Sequence, residues 1–181
     1  MRMDLYLLAI QEGYLISDMT ISVNLQDFIS GKAKKLLVIG VPGSGKTSIG
    51  EYLMKKYKVP EFVSDTDWKT MHKGITDSKR TIVEGAGLAD LYYKEDTWKK
   101  IIIDKPMILM GMSAIKAGLR ADKRDGTVPG QVKDKKDTYY FVRKNLSHWQ
   151  KVFNYLRKDV MKIPGADIKE FKVPKFKPVY Y

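Results

Sequence analysis

The sequence predicts an α/β protein: a three-layer α/β/α arrangement on a parallel sheet of about five strands, with a lid segment. Three observations predict it. Apolar runs of strand length recur along the chain and alternate with stretches of helical periodicity, the pattern that builds parallel sheets. The apolar run at residues 36–39 leads straight into a glycine-rich loop and then a helical stretch. Finally, 181 residues with ordinary apolar and charged fractions make one domain large enough for a substantial core.

Composition narrows the classes. The chain has no cysteine, which removes a disulfide framework and a thiolate metal site. Residues 1–10 contain Asp4 and only a short apolar run, too brief for a signal-peptide core. No stretch approaches the roughly 18 apolar residues of a membrane span. The expectation is a soluble, cytoplasmic protein with no membrane partner. The formal charge is +12, and it is regional: residues 113–181 hold 17 Lys and Arg against 7 Asp and Glu, the rest 16 against 14. Such a surface is either the footprint of a polyanionic partner or a combination of phosphate handling and solvated helix face.

In chain order, Leu5, Leu8, Ile10 and Leu15 fall at helical spacing within residues 3–16. Residues 24–29 allow a further short helix capped by Asn24. Residues 1–34 are thus expected to be an N-terminal helical extension, and 35–173 the main domain. Residues 36–47 read L-L-V-I-G-V-P-G-S-G-K-T, in which Gly40, Gly45, Lys46 and Thr47 match G-x-x-x-x-G-K-[ST]. The glycines let successive N–H groups point inward, and the following helix, residues 47–57, adds its positive dipole end, so the segment suits phosphate oxygens. Gly40, Pro42, Gly43, Ser44, Gly45, Lys46, Thr47 and Ser48 form the expected cradle. Lys46 would reach the outer phosphates, and the Thr47 hydroxyl a Mg²⁺ ion.

Residues 61–64 make a second strand that runs into Asp65-Thr66-Asp67-Trp68. Acidic groups at such a strand end can hold a magnesium hydration shell or accept a proton from an attacking hydroxyl. The plainer reading makes Asp65 the cap of the helix that starts near Trp68. Residues 80–84, R-T-I-V-E, form a third strand, followed by Gly85-Ala86-Gly87. Gly85 and Gly87 are candidates for lining an acceptor pocket because a ligand can approach a bare backbone. Glu84 is a candidate to hydrogen-bond the acceptor or a bound water. Residues 88–103 read as helix in two pieces, with Ile101-Ile102-Ile103-Asp104 as a helix end, and 107–111 as a fourth buried strand.

Residues 113–124 are helix-compatible and place Arg120 and Arg124 one turn apart. A Gly/Pro-rich break at 125–130 and a charge cluster at 133–137 complete a lid at about 113–137, suited to neutralising transferred charge and excluding water. Residues 138–160 carry an apolar stripe of Val142, Leu146, Trp149, Phe153, Leu156 and Val160. Residues 167–173 supply a fifth strand, and 174–181 a basic, aromatic tail.

The glycine loop is the signature of the P-loop NTPase fold, and the order of motifs resembles the small P-loop kinases: nucleoside-monophosphate, shikimate and gluconate kinases, and the kinase domains of polynucleotide kinases. The resemblance spans roughly residues 36–137. It implies ATP or GTP as donor and Mg²⁺ as cofactor, with Lys46 and Thr47 at the β/γ-phosphates and the metal. It further implies that Asp65 and Asp67 divide between metal and acceptor hydroxyl, that Gly85 and Gly87 form the acceptor-side turn, and that Arg120 and Arg124 are the lid arginines. The expected activity is transfer of the γ-phosphate to a hydroxyl or phosphate, most readily on a nucleotide or on DNA or RNA given the basic C-terminal region. The alternatives are a kinase of a small metabolite and a nucleotide-dependent regulatory ATPase.

Overall fold

The computed structural model describes residues 19–111 and 146–171. In order these form β1 (Met19–Val23), α1 (Leu25–Ile29), β2 (Lys35–Gly40), α2 (Lys46–Lys56), β3 (Glu61–Ser64) and α3 (Trp68–Thr76). There follow β4 (Thr81–Glu84), α4 (Gly87–Lys94), α5 (Asp96–Ile103), β5 (Met107–Gly111), α6 (Leu146–Val160) and β6 (Ile168–Glu170). The expected helix at 3–16, the lid with Arg120 and Arg124, residues 138–145 and the basic tail lie outside the described residues.

The strands form one six-stranded sheet in the order β3-β4-β2-β5-β1-β6. Neighbours among β3, β4, β2 and β5 are parallel. β1 is antiparallel to both β5 and β6, so the sheet is mixed rather than parallel and has one strand more than expected. Val23 and Leu37 both pair with Met107, which puts the end of β1 and the start of β2 at the same end of the sheet. Residues 24–34 are too few for the crossover of about a dozen or more residues that a parallel return requires. Over residues 19–34 this corrects the expectation of a helical extension at 1–34: β1 is an inner strand of the main sheet, and α1 alone is helical. Thr20 and Ser22 hid it by interrupting the apolar run, yet both are buried, and the Ser22 hydroxyl donates to the Lys169 carbonyl at 3.3 Å.

Asn24 occupies the position before α1, but with φ 51° and without a side-chain cap bond. Its Oδ1 instead accepts from the Asp167 amide at 3.3 Å, and ties α1 to the approach of β6. The other strand and helix assignments among the described residues match the sequence reading within a residue or two, including the break between α4 and α5 and the helix end at Ile103, except that β6, expected over 167–173, ends at Glu170.

Alternation along β2 builds two cores. Leu37 and Ile39 join a cluster with Met71, Leu88, Trp98, Ile102 and Phe153 from α3 to α6. Leu36 and Val38 face the other way, against Phe28 of α1 and Ile49 and Leu53 of α2. Each such side chain, fully withdrawn from water, contributes about 1.5–3 kcal/mol. Apolar residues on both faces are what a strand covered on both sides requires.

Two cations lock the end of the sheet where the parallel strands begin. Lys35 is 5 % exposed and satisfied by the Gly74 carbonyl at 2.6 Å, Asp77 Oδ1 at 2.5 Å and Thr81 Oγ1 at 3.0 Å. Arg80 stacks 4.8 Å from the Phe28 ring and donates to the Phe28 carbonyl at 2.9 Å and the Tyr57 carbonyl at 3.5 Å. It thereby joins α1, β4 and the loop after α2.

Candidate functional site

At the opposite end, β2 finishes at Gly40 between the last residues of β4 and β5. The chain goes from β2 to one side and later returns to the other, and ligands bind at such a reversal in α/β sheets. Gly43 and Gly45 have φ of 80° and 94°, a region that side-chain-bearing residues avoid, and Ser44 closes a turn onto the Val41 carbonyl at 3.1 Å. A Cβ on Gly40 would lie 2.5 Å from Ser44 Oγ and 2.7 Å from the Met110 carbonyl, so the loop folds tightly over its own strand. Pro42, Gly43 and Gly45 are half-buried and Ser44 is fully buried.

α2 opens at Lys46, which puts Thr47 and Ser48 in its first turn beside the loop. Lys46 is 8 % exposed, and its Nζ lies 3.4 Å from the Val41 carbonyl. The Thr47 hydroxyl donates to Glu84 Oε1 at 2.8 Å, and the Ser64 hydroxyl donates to the same oxygen. Glu84 is 1 % exposed, and its Oε2 is buried with no hydrogen-bond partner. The ends of β3 and β4 and the first turn of α2 therefore bring two hydroxyls, of Ser64 and Thr47, and one half-satisfied carboxylate to a single point. The Gly85 amide, bonded to the Val38 carbonyl at 3.1 Å, keeps β4 in register there.

Asp65 and Asp67 separate into different roles. Asp67 is the cap of α3: Oδ1 accepts from the Thr70 amide at 3.0 Å and Oδ2 from the Thr70 hydroxyl at 2.7 Å. These bonds hold its carboxyl below the ordinary carboxylate range. The capping role that the plainer sequence reading gave to Asp65 thus belongs to Asp67. Asp65 keeps one flank open to solvent, but the protein crowded around its carboxyl raises its pKa, chiefly by desolvation and further by the Glu84 charge. Lys46 and the amides of Ala86 and Gly87 pull the other way.

The glycine turn, expected to receive an acceptor, is approached by Asp65 itself. A Cβ on Gly85 would meet Asp65 Oδ1 at 2.7 Å, and one on Gly87 would meet it at 3.3 Å. Sequence reasoning undervalued Glu84 as a partner of the loop threonine. A short run, Thr81-Ile82-Val83, precedes it, and the signal was an acidic residue directly after an apolar strand.

Thr47 Oγ1 and Glu84 are hard oxygen donors, the kind that Mg²⁺ takes, and the second Glu84 oxygen, buried without a hydrogen-bond partner, fits a cation. Comparison of the chain with protein-family profiles, with curated proteins and with solved structures gives no match, so the functional reading rests on these residues. Among the described residues no helix is long and apolar enough to cross a membrane.

Proposed function

We propose that this chain is an ATP-dependent, Mg²⁺-requiring phosphotransferase of the P-loop, three-layer kind, acting on an acceptor hydroxyl or phosphate of a nucleotide or nucleic acid. One observation carries the reading: a glycine loop in left-handed conformation stands beside a buried glutamate that binds the loop threonine through one oxygen and leaves the other without a partner. A turn that bound nothing would have no use for a half-satisfied carboxylate buried as deeply as Glu84, 1 % exposed, which costs free energy to keep from water.

The roles divide by position. The amides of residues 43–47 and the Lys46 ammonium receive the phosphate tail of the donor. Thr47 and Glu84 would hold Mg²⁺, which when bound supplies charge neutralisation at the phosphate oxygens. Asp65 orients the acceptor and takes its proton as the new O–P bond forms, while the bond from the γ-phosphorus to the nucleoside diphosphate breaks. Its raised pKa makes it a stronger base than Asp67, whose oxygens are engaged in capping. Arg120 and Arg124 are proposed as the lid cations that offset charge in flight.

The test is ATP labelled in its γ-phosphate, incubated with separate pools of nucleosides, nucleotides, sugars, DNA and RNA. Label in a nucleotide or nucleic-acid pool is expected. Label in sugars alone moves the acceptor to a small metabolite. ATP turnover stimulated by a macromolecule, with no labelled pool, replaces the kinase with a regulatory ATPase.

A further inference from the structure

The end of the sheet away from the glycine loop carries a feature that phosphotransfer does not use. The register sets Lys35, Thr81 and Glu61 side by side, and Lys105 precedes the Met107 that pairs with Leu37. The segments that converge there are residues 26–35, 54–61, 73–80 and 103–106, and Arg80 physically joins the first three. Together they hold ten lysines and arginines against four carboxylates.

The few carboxylates are mostly engaged. Asp77 is taken by buried Lys35, Asp27 lies 3.6 Å from Lys32, and Asp104 lies 2.8 Å from Lys105. Lys32, Lys34, Lys55, Lys56, Lys58 and Lys79 are all exposed. Among the described residues, Lys34, Lys55, Lys58 and Lys79 have no carboxylate at ion-pair distance. Lys56 lies against two rings instead, 5.6 Å from Tyr52 and 5.5 Å from Tyr57.

Helix ends account for only part of this charge. α2, α3 and α5 finish at this end, and three C-terminal dipoles amount to about −1.5 charges in all. An excess of six is several charges more than they need. The surplus also opposes folding through self-repulsion, so it calls for an external counter-charge.

We infer that this face is a docking surface for the phosphodiester backbone of a nucleic acid, separate from the glycine-loop site. Polyphosphate chemistry matches a spread of unpaired ammonium groups with tyrosines among them. A membrane surface fits less well, because it also needs large apolar side chains to insert. The exposed large apolar residues among those described are Trp68 and Met161, neither of which lies in these four segments. Strands of four to six residues separate the two ends by roughly 13–20 Å, so a backbone held here does not present its own contacted phosphates to Lys46. The inference does not depend on the phosphotransfer reading.

The test is fluorescence anisotropy of the full chain with a labelled DNA oligomer, single-stranded and duplex, over a salt series without ATP. Binding should weaken steeply with salt. The triple variant K55E/K56E/K58E should lower affinity by about tenfold or more and reduce the salt slope by about one per lost contact. Asp104→Asn, which frees Lys105, should tighten binding, and Lys46→Ala should leave it unchanged. The control triple K151E/K158E/K162E places the same charge change on α6 and the turn that follows it. Equal loss from both triples would mean that binding follows net charge alone and overturns the surface. So would a flat salt response, a loss confined to Lys46→Ala, or binding only to phosphatidylserine vesicles.

Discussion

The two ends of the sheet each bury a charged side chain, and they treat it oppositely. Lys35, where the parallel strands begin, meets a carbonyl, a carboxylate and a hydroxyl within 3.0 Å. Glu84, where they finish, concentrates two hydroxyl donors on one oxygen and leaves the other with none. Asp77 beside Lys35 also has one oxygen without a partner, but its side chain is 19 % exposed, whereas Glu84 is 1 % exposed; the deeper carboxylate costs more to leave half-filled and is retained for something that arrives later. The difference teaches where to look for chemistry and where to expect only architecture.

The contrast is best sharpened by substitutions at each end, read for both transfer and melting. Lys46→Ala should abolish phosphate transfer while the melting temperature holds, and full activity in that variant would sink the site. Asp65→Asn should reduce turnover by about a hundredfold or more with ATP binding kept, as loss of a general base does. In the parent the acidic limb of the rate profile should lie above the ordinary carboxylate range, because desolvation raises Asp65. The sign for stability follows from the same shift: the folded state holds that proton more tightly than the unfolded chain. This contribution is therefore present at low pH and is lost as pH rises through the raised value, so the Asn variant should melt no lower than the parent at neutral pH.

Glu84→Gln should cost about tenfold in transfer, and its Mg²⁺ requirement should rise, with little change in melting. At the other end, Lys35→Met should do the reverse. It should lose about 3 kcal/mol by denaturant titration, since Asp77 remains without its cation, yet keep its activity per folded molecule. Inactivity of the folded fraction would break the contrast. The smallest effect belongs to Asp67→Asn, which should trim the melting temperature slightly and spare turnover. A collapse of turnover with ATP binding intact would instead return Asp67 to the reaction.

Much of this was legible in residues 36–47, because glycine spacing, a preceding apolar run and a following helix are all local signals. The strands at 61–64, 80–84 and 107–111 were legible for the same reason. β1 was not, since Thr20 and Ser22 look solvent-facing and their burial depends on Lys169, far along the chain. The division of labour between Asp65 and Asp67 was also hidden. Both stand at a strand end, and only the turn at 85–87, brought alongside by β3–β4 pairing, shows which carboxyl leans inward. The sequence located the basic excess in the C-terminal third, where residues 146–171 carry five lysines and arginines against three carboxylates and the remainder lies outside the described residues. The basic end of the sheet escaped notice because it is assembled from four short segments, each unremarkable alone.

The inner position of β1 has a consequence for how the chain is made. Its ladder partners are residues 107–111 on one side and 168–170 on the other, so both are made long after it during synthesis. Until those partners leave the ribosome, the first strand is a bare template with both edges open, the state in which strands pair with the wrong neighbour. Early termination before residue 168 would leave one of those edges uncovered for good, so such fragments should aggregate even where the glycine loop has already formed.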